Sequence, residues 1–341
     1  MGIINDALEA FRFKDTIFYK EESDLKDKYN ALKKLNEEYP NNEELLYELY
    51  IVKKGLDGEN EIAYELKKAN IGMYVLRDIK LEYEDLTAQI DYVIITSLYT
   101  YYVECKNLIG NITVTDKGDF IREYTFNGKK IKKGIYSPLR QVEAQREVVR
   151  KIWEKNTSNV IKLFAANKFN HYRRVIVVAA NPDTILNTNQ APKEIKYKIL
   201  RADTLVKQIE YDFNHRESDE ILDSQKKMEE LAKSYVNLSI KDKINYYEFY
   251  KNKYCNNDKK INKEELKERL IGLRTNRSKE MNIPAYYVFT NDELDKLLEL
   301  MPKTIEELKK ANILSTVKIK VHGKYIINTI NNKNGTTVLW L

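Results

Sequence analysis

The sequence predicts a mixed α/β protein: a central mixed sheet flanked by helices, led by a helical N-terminal extension and closed by a small all-α C-terminal bundle. Three observations carry this expectation. Apolar residues alternate at strand period over 73–78, 89–96 and 101–106. A long helical pattern opens at Ser137-Pro138 and runs to about Trp153, followed at 174–180 by a continuously apolar run of the kind that fills a strand covered on both faces. From Ile261 onward, helical patterns follow one another through short loops.

Each element follows from local chemistry. Residues 1–54 read as helical and charged, with Leu32, Leu35, Leu45, Leu46 and Leu49 near helical spacing and Pro40-Asn41-Asn42 as a break between two helices. This extension packs on the next domain or serves as a partner arm. Within 55–213, Gly58-Glu59 opens a helix that runs to about Ala69, and the three alternating strands follow. Residues 129–133 (KKIKK) form a basic, exposed stretch. Pro138 suits a first helical turn, where its missing N–H costs nothing. A further strand is expected near 195–200 and a short helix near 204–211. Residues 214–260 are polar and partly helical and read as a linker, and 261–341 as the helical bundle. Thr304 and Glu307 are spaced as a capping box.

Bulk properties narrow the function classes. A chain of 341 residues accommodates two or three domains. Lys+Arg number 58 and Asp+Glu 52, and the net +6 permits a nucleic-acid partner without demanding one. Cys105 and Cys255 lie far apart and fit neither a disulfide framework nor a zinc pattern. No apolar run is long enough to cross a bilayer, and the N-terminus lacks the order of a signal peptide, so a cytoplasmic location is expected. The usual phosphate-binding loop of ATP-driven motors is missing, so unwinding would need a partner.

The chemistry concentrates in two neighbouring strands. In QIDYVIIT, Gln89, Asp91, Val93 and Ile95 share a face; in YYVECK, Tyr102, Glu104 and Lys106 do. A loop at Leu98-Tyr99 places Asp91 opposite Lys106 and diagonal to Glu104. Two carboxylates and one ammonium then crowd one sheet face. Either they form an ion pair on a solvated face, or a divalent cation relieves the repulsion. Oxygen ligands suit Mg²⁺, which keeps several of its waters. Two helices favour the second reading. Glu59 lies on the same helix face as Ile62, Ala63 and Leu66, and Gln141 and Gln145 lie in line with Val148 and Ile152. Polar groups on faces built for burial need partners.

These residues carry a resemblance. Gly58-Glu59, Gln89-Ile90-Asp91, Val103-Glu104-Cys105-Lys106-Asn107 with Gly110, and Ser137-Pro138-Leu139-x-Gln141 resemble the nuclease-related domain (NERD) of the PD-(D/E)xK superfamily, over about 55–165. The resemblance implies a restriction-endonuclease-like fold reaching to about 213. It also implies Mg²⁺, with Mn²⁺ as a substitute, held by Asp91, Glu104 and the carbonyl of Cys105. Lys106 would assist the attacking water, and Glu59 and Gln141 would complete the catalytic set. Tyr92 stands where a His commonly follows the Asp, which puts rate and metal preference in question.

The C-terminal segment, with its IPAYYVFT and MPKTIEEL stretches, resembles the HRDC (helicase and RNase D C-terminal) domain. Its 14 basic against 10 acidic side chains allow phosphate contacts, for which Arg274, Arg277 and Lys279 are the candidates. Together the two resemblances imply a metal-dependent DNA nuclease, an endonuclease rather than an exonuclease, in bacterial DNA maintenance or defence against foreign DNA. RNA is left open as substrate. The alternative is a catalytically weak nucleic-acid-binding or scaffold protein that recruits a helicase or other protein partner.

Overall fold

The computed structural model describes residues 12–126, 128–158, 168–218, 220–241, 244–255 and 263–331. The chain divides into two units, Met1–Cys255 and Asn256–Leu341. The first contains, in order, β1 (Thr16–Lys20), α1 (Asp24–Glu38), α2 (Glu43–Lys67), β2 (Met73–Tyr83), β3 (Leu86–Thr96), β4 (Thr100–Lys106), β5 (Asn111–Val114), β6 (Phe120–Phe126), β7 (Lys129–Ile135) and α3 (Pro138–Asn156). It continues with α4 (Phe169–Tyr172), β8 (Arg173–Ala179), β9 (Leu186–Asn187), α5 (Lys193–Lys196), β10 (Ile199–Arg201), α6 (Ala202–Asn214), α7 (Gln225–Leu238), α8 (Tyr246–Tyr250) and a π-helical turn, Lys251–Cys255.

The main sheet has six strands in the order β1-β2-β3-β4-β8-β10. β2, β3 and β4 form an antiparallel meander, while β1 runs parallel to β2, and β8 runs parallel to both β4 and β10. A core lies on each face. One gathers Tyr102, Val142, Val149 and Val177 beneath α3. The other gathers Tyr92, Val103 and Ile176 beneath Ile62 and Leu66 of α2 and Leu205 of α6. The regular alternation turns over within β2 and β3. Leu76 and Ile79, and likewise Val93 and Ile90, pack into the same core despite odd separations. The turnover sits at Asp78, whose φ of 50° leaves it out of the ladder between the Arg77–Tyr92 and Ile79–Ile90 pairs. A left-handed Asp costs of order 1–3 kcal/mol unless its surroundings hold it. Lys20 supplies that hold, donating from Nζ to the carbonyls of Arg77 (2.7 Å) and Asp78 (2.9 Å).

Two expectations need correction. The extension is not wholly helical: Thr16–Lys20 is an edge strand of the main sheet, and α2 runs unbroken through the expected boundary at residue 54. The segment 214–260 is not a linker throughout. Met228, Ala232 and Tyr235 of α7 are buried in the main core, and Tyr250 of α8 packs on Leu32, Leu35, Leu45 and Val52. The amphipathic period of α7 was legible, but its polar face dominated the composition. The basic stretch 129–133 belongs to β7, the edge of a second sheet ordered β7-β6-β5-β9.

The second unit, by itself, is a helical bundle of α9 (Lys263–Met281), α10 (Ala285–Val288), α11 (Asn291–Leu300), α12 (Ile305–Lys310) and α13 (Thr316–Ile330). Leu266, Leu270, Phe289, Leu297, Leu308 and Ile326 form its core. Thr304 caps α12, accepting from Glu307 N at 3.1 Å. Glu307 reaches back one residue further than expected, to Lys303 N (2.7 Å), so the reciprocal capping box forms at Thr290 and Glu293 instead.

Candidate active site

The ladder between β3 and β4 pairs Tyr92 with Val103 and Val93 with Tyr102. Its closing loop is Ser97-Leu98, because Thr96 N donates to Tyr99 O at 2.9 Å. This corrects the loop expected at Leu98-Tyr99. Continued by one residue, the register brings Asp91 level with Glu104 rather than with Lys106. Asp91 Oδ2 accepts from the backbone N–H of Cys105 at 2.7 Å, which ties the middle of β3 to the Glu104-Cys105-Lys106 tripeptide at the end of β4. Lys106 Nζ sits 2.6 Å from Glu104 Oε1.

Helices on opposite faces of the sheet close the site. Pro138 and the Ser137 cap start α3 so that its inward face carries Gln141 and Gln145. Gln141 Oε1 accepts from Lys106 Nζ at 3.1 Å. The buried Gln145 donates from Nε2 to Gln89 O (2.7 Å) and Glu104 Oε2 (3.2 Å). Two acceptors fix the orientation of that amide, since a flipped group would set its oxygen against a carbonyl and a carboxylate. From the other face, α2 delivers Glu59. Gly58 makes this approach possible: a Cβ there would stand 2.6 Å from Asn107 Cβ and 3.1 Å from Cys105 Sγ. Asp91, Glu59, Gln89, Gln141 and Gln145, with Lys28, Tyr136 and Lys151, line an open cleft of about 770 Å³.

The charges balance except at one position. Glu59 Oε2 accepts from Arg77 Nη2 (2.9 Å) and Ser23 Oγ (3.0 Å). Burial pushes the Glu59 carboxyl up, and the bonds from Arg77 and Ser23 oppose that push. Glu104 is paired with Lys106. Asp91 has no cation of its own among the described residues. Burial first, then the negative charges of Glu104 and Glu59, raise its carboxyl well above the usual range. Of the three carboxylates, Glu59 and Glu104 thus have a paired cation and Asp91 has none among the described residues.

Cys105 enters the site through its backbone alone. Its Sγ turns toward α2, and burial, followed by the charges of Asp91, Glu59 and Glu104, keeps the thiol protonated. Tyr92 faces away from the cleft: its hydroxyl donates to the Glu59 carbonyl at 2.7 Å, bracing α2 against the sheet. Arg77, Ser23 and the supporting part of Gln145 were not anticipated from sequence. Arg77 left a signal, being the one charged residue within the apolar run MYVLR.

In the bundle, the three candidate contacts differ. Lys279 is exposed. Arg274 Nη1 donates to Asn291 Oδ1 at 2.8 Å. Arg277 pairs with Glu280 at 2.8 Å, its side chain 15% exposed, and lies over the Tyr325 ring. Two of the three are therefore engaged within the bundle.

Among the described residues no group of three or more His, Cys, Asp or Glu side chains is placed to hold a metal ion. No helix among them is long and apolar enough to cross a membrane. Comparison with curated proteins finds no match. The model of the nuclease-related domain matches residues 54–179, and that of the HRDC domain matches 263–330. A solved structure described as D. radiodurans RecQ HRDC domain 3 is 33% identical, covering 21% of this chain and 95% of its own, with a TM-score of 0.20. The paired strands bearing Asp91, Glu104 and Lys106 fall inside the first match and the capped helices of the bundle fall inside the second, so the chain carries a nuclease-related domain followed by an HRDC domain.

Proposed function

We propose that the first unit is a metal-dependent DNA nuclease and that the HRDC unit helps to hold the nucleic acid. The observation that carries this reading is the uncompensated Asp91 carboxylate beside Glu104 on the floor of an open cleft. Such a site favours binding of a cation. The donor set fits Mg²⁺ or Mn²⁺: two carboxylates and the Cys105 carbonyl, with the remaining positions left to water. Three acidic side chains are not required for such an ion, so a two-carboxylate floor suffices. A bound divalent ion would supply acidity to water and charge neutralisation at the phosphodiester.

The chain's own residues have separate tasks. Lys106 presents a compact ammonium, held by Glu104 and Gln141, that can donate to a phosphate oxygen as charge builds there. Gln145 fixes the second oxygen of Glu104 and so sets the carboxylate plane. Arg77 opposes the effect of burial on the Glu59 carboxyl and holds its position. The test incubates full-length protein with circular and linear DNA in Mg²⁺, Mn²⁺ or EDTA, beside Asp91→Asn and Glu104→Gln. Cleavage that needs the metal and is lost in both variants supports the reading. Full activity in EDTA would overturn it.

A further inference from the structure

The second sheet contains a feature that the cleft chemistry does not use. β5 pairs only with residues 120–123 of β6, through Val114–Phe120 to Asn111–Glu123. β6 and β7 stay paired further, from Phe120–Ile135 to Phe126–Lys129. The outer half of this hairpin therefore extends past the end of β5 as a two-stranded ribbon. β7 is the sheet's edge strand. The root of the ribbon adjoins the cleft: Ile135 packs beside Lys106 and Pro138, and the next residue, Tyr136, lines the cleft while 73% exposed.

The ribbon is strongly basic, and the basic groups are distributed in a particular way. Residues 120–135 hold Arg122, Lys129, Lys130, Lys132 and Lys133 against a single acid, Glu123. Strand alternation places Lys129 and Lys133 on one face and Lys130 and Lys132 on the other. Lys129, Lys130 and Lys132 are exposed, and Lys133 lies over the Tyr124 ring. Lys132 pairs with Glu123 at 2.7 Å in a solvated position where such a pair is worth little. Lysines on an edge strand also deter edge-to-edge pairing. Either sign of charge would serve that purpose, whereas here, with the buried Arg122 set aside, four lysines stand against one glutamate.

The geometry points to this ribbon as a binding site for duplex DNA, inserted into the major groove beside the cleft. A two-stranded ribbon fits a groove about 12 Å wide. Both groove walls are phosphate backbones, so lysines on both faces find partners there. A single strand would engage one face only. The deep, narrow major groove of an RNA duplex does not admit side chains. Six residues separate Lys129 from Ile135, about 20 Å at strand rise. The tip therefore meets the duplex roughly six base pairs from the cleft. This inference names the substrate class of the proposed nuclease and rests on that reading.

The test is Lys129→Gln/Lys130→Gln in the full-length protein. Both residues are exposed on the projecting segment, and circular dichroism should match the parent. The control, Lys207→Gln/Lys233→Gln, removes equal charge from exposed positions on α6 and α7. Binding to a labelled 30-base-pair DNA duplex, the corresponding single strand and the RNA duplex is measured in EDTA across a salt series. Loss of two phosphate contacts lowers the log–log salt slope by about 1.8, roughly a tenfold smaller change in affinity between 50 and 200 mM salt. This loss is expected with duplex DNA and not in the control. Equal slopes for variant and parent, an equal loss in the control, or an equal loss with single-stranded DNA or duplex RNA would each overturn the inference. Because binding is read without metal, a protein that binds through the ribbon but never cleaves refutes only the nuclease reading. One that cleaves with an unchanged variant refutes only the ribbon.

Discussion

Replacing Arg77 by Met removes the one cation that contacts Glu59 among the described residues and leaves a similar volume of side chain beneath Tyr92. The two side chains are 7% and 6% exposed, so water cannot readily take over. Removing one partner of such a buried pair costs about 3–5 kcal/mol. In a unit of this size each kcal/mol lowers the melting temperature by roughly 2–4 °C, so a fall of about 6–20 °C is expected at pH 7.5. The pH dependence has a definite sign. Burial already raises the Glu59 carboxyl, and without Arg77 it rises further. A carboxyl raised on folding favours the fold below its unfolded value of about 4.3 and loses that contribution as pH climbs through the folded value. The gap between parent and variant should therefore narrow as pH is lowered from about 7.5 to about 4.5, because a raised carboxyl takes up its proton earlier than in the unfolded chain. Thermal melts at both pH values measure this, with Glu59→Gln added to the Arg77→Met background restoring most of the loss at pH 7.5. A variant within 1 °C of the parent at about pH 7.5, or no rescue by Glu59→Gln, would refute the buried-pair account.

Three further outcomes follow. In EDTA, Asp91→Asn should melt higher than the parent at pH 7.5, with the advantage shrinking as pH falls, because a raised carboxyl destabilises the fold only when ionised; a lower melting point at neutral pH would contradict the charge count. Lys106→Ala should slow cleavage by orders of magnitude while duplex affinity in EDTA stays near that of the parent, and Lys106→Arg should rescue only in part, since a planar fork replaces a compact ammonium; single-turnover rates and fluorescence anisotropy separate the two effects. A chain ending at residue 211 should lack a cooperative melt, whereas one ending at 255 should keep it, because Tyr102 and Tyr235 share a buried 2.6 Å hydrogen bond and α7 completes the core; circular dichroism of both chains decides this.

The strands and the site were legible for one reason: alternation and the polar residues that interrupt it are local. Asp91, Glu104 and Lys106 stand out against apolar neighbours, and Glu59, Gln141 and Gln145 against a helix's inward face. What escaped the sequence was set by pairing between distant segments. The register of β3 on β4 depends on which two residues close the loop, and a shift of one pair exchanged Glu104 for Lys106 opposite Asp91. Asp78 gave no sign that it would adopt a left-handed conformation and turn both strands over. The second sheet was hidden because the Lys-rich strand β7 lacks an apolar face of its own, although Asn127-Gly128 is a strong two-residue hairpin signal. The Glu59–Arg77 pair needed α2 and β2 to be placed together first.

The return of α7, α8 and the π-helical turn to the N-terminal elements has a consequence for synthesis. Tyr102 waits 133 residues for Tyr235, and Asn42 waits 212 residues for the carbonyl of Tyr254. At about 5–20 residues per second, the helical pair at the N-terminus spends roughly 10–40 s outside the ribosome before its last partner is made. Every side chain assigned to the cleft floor has emerged by residue 145, yet the body that holds them in place is still lacking its final helices. A chain that stops early therefore bears all of the candidate groups without the elements that align them. Assembly of the candidate site is coupled to completion of the unit.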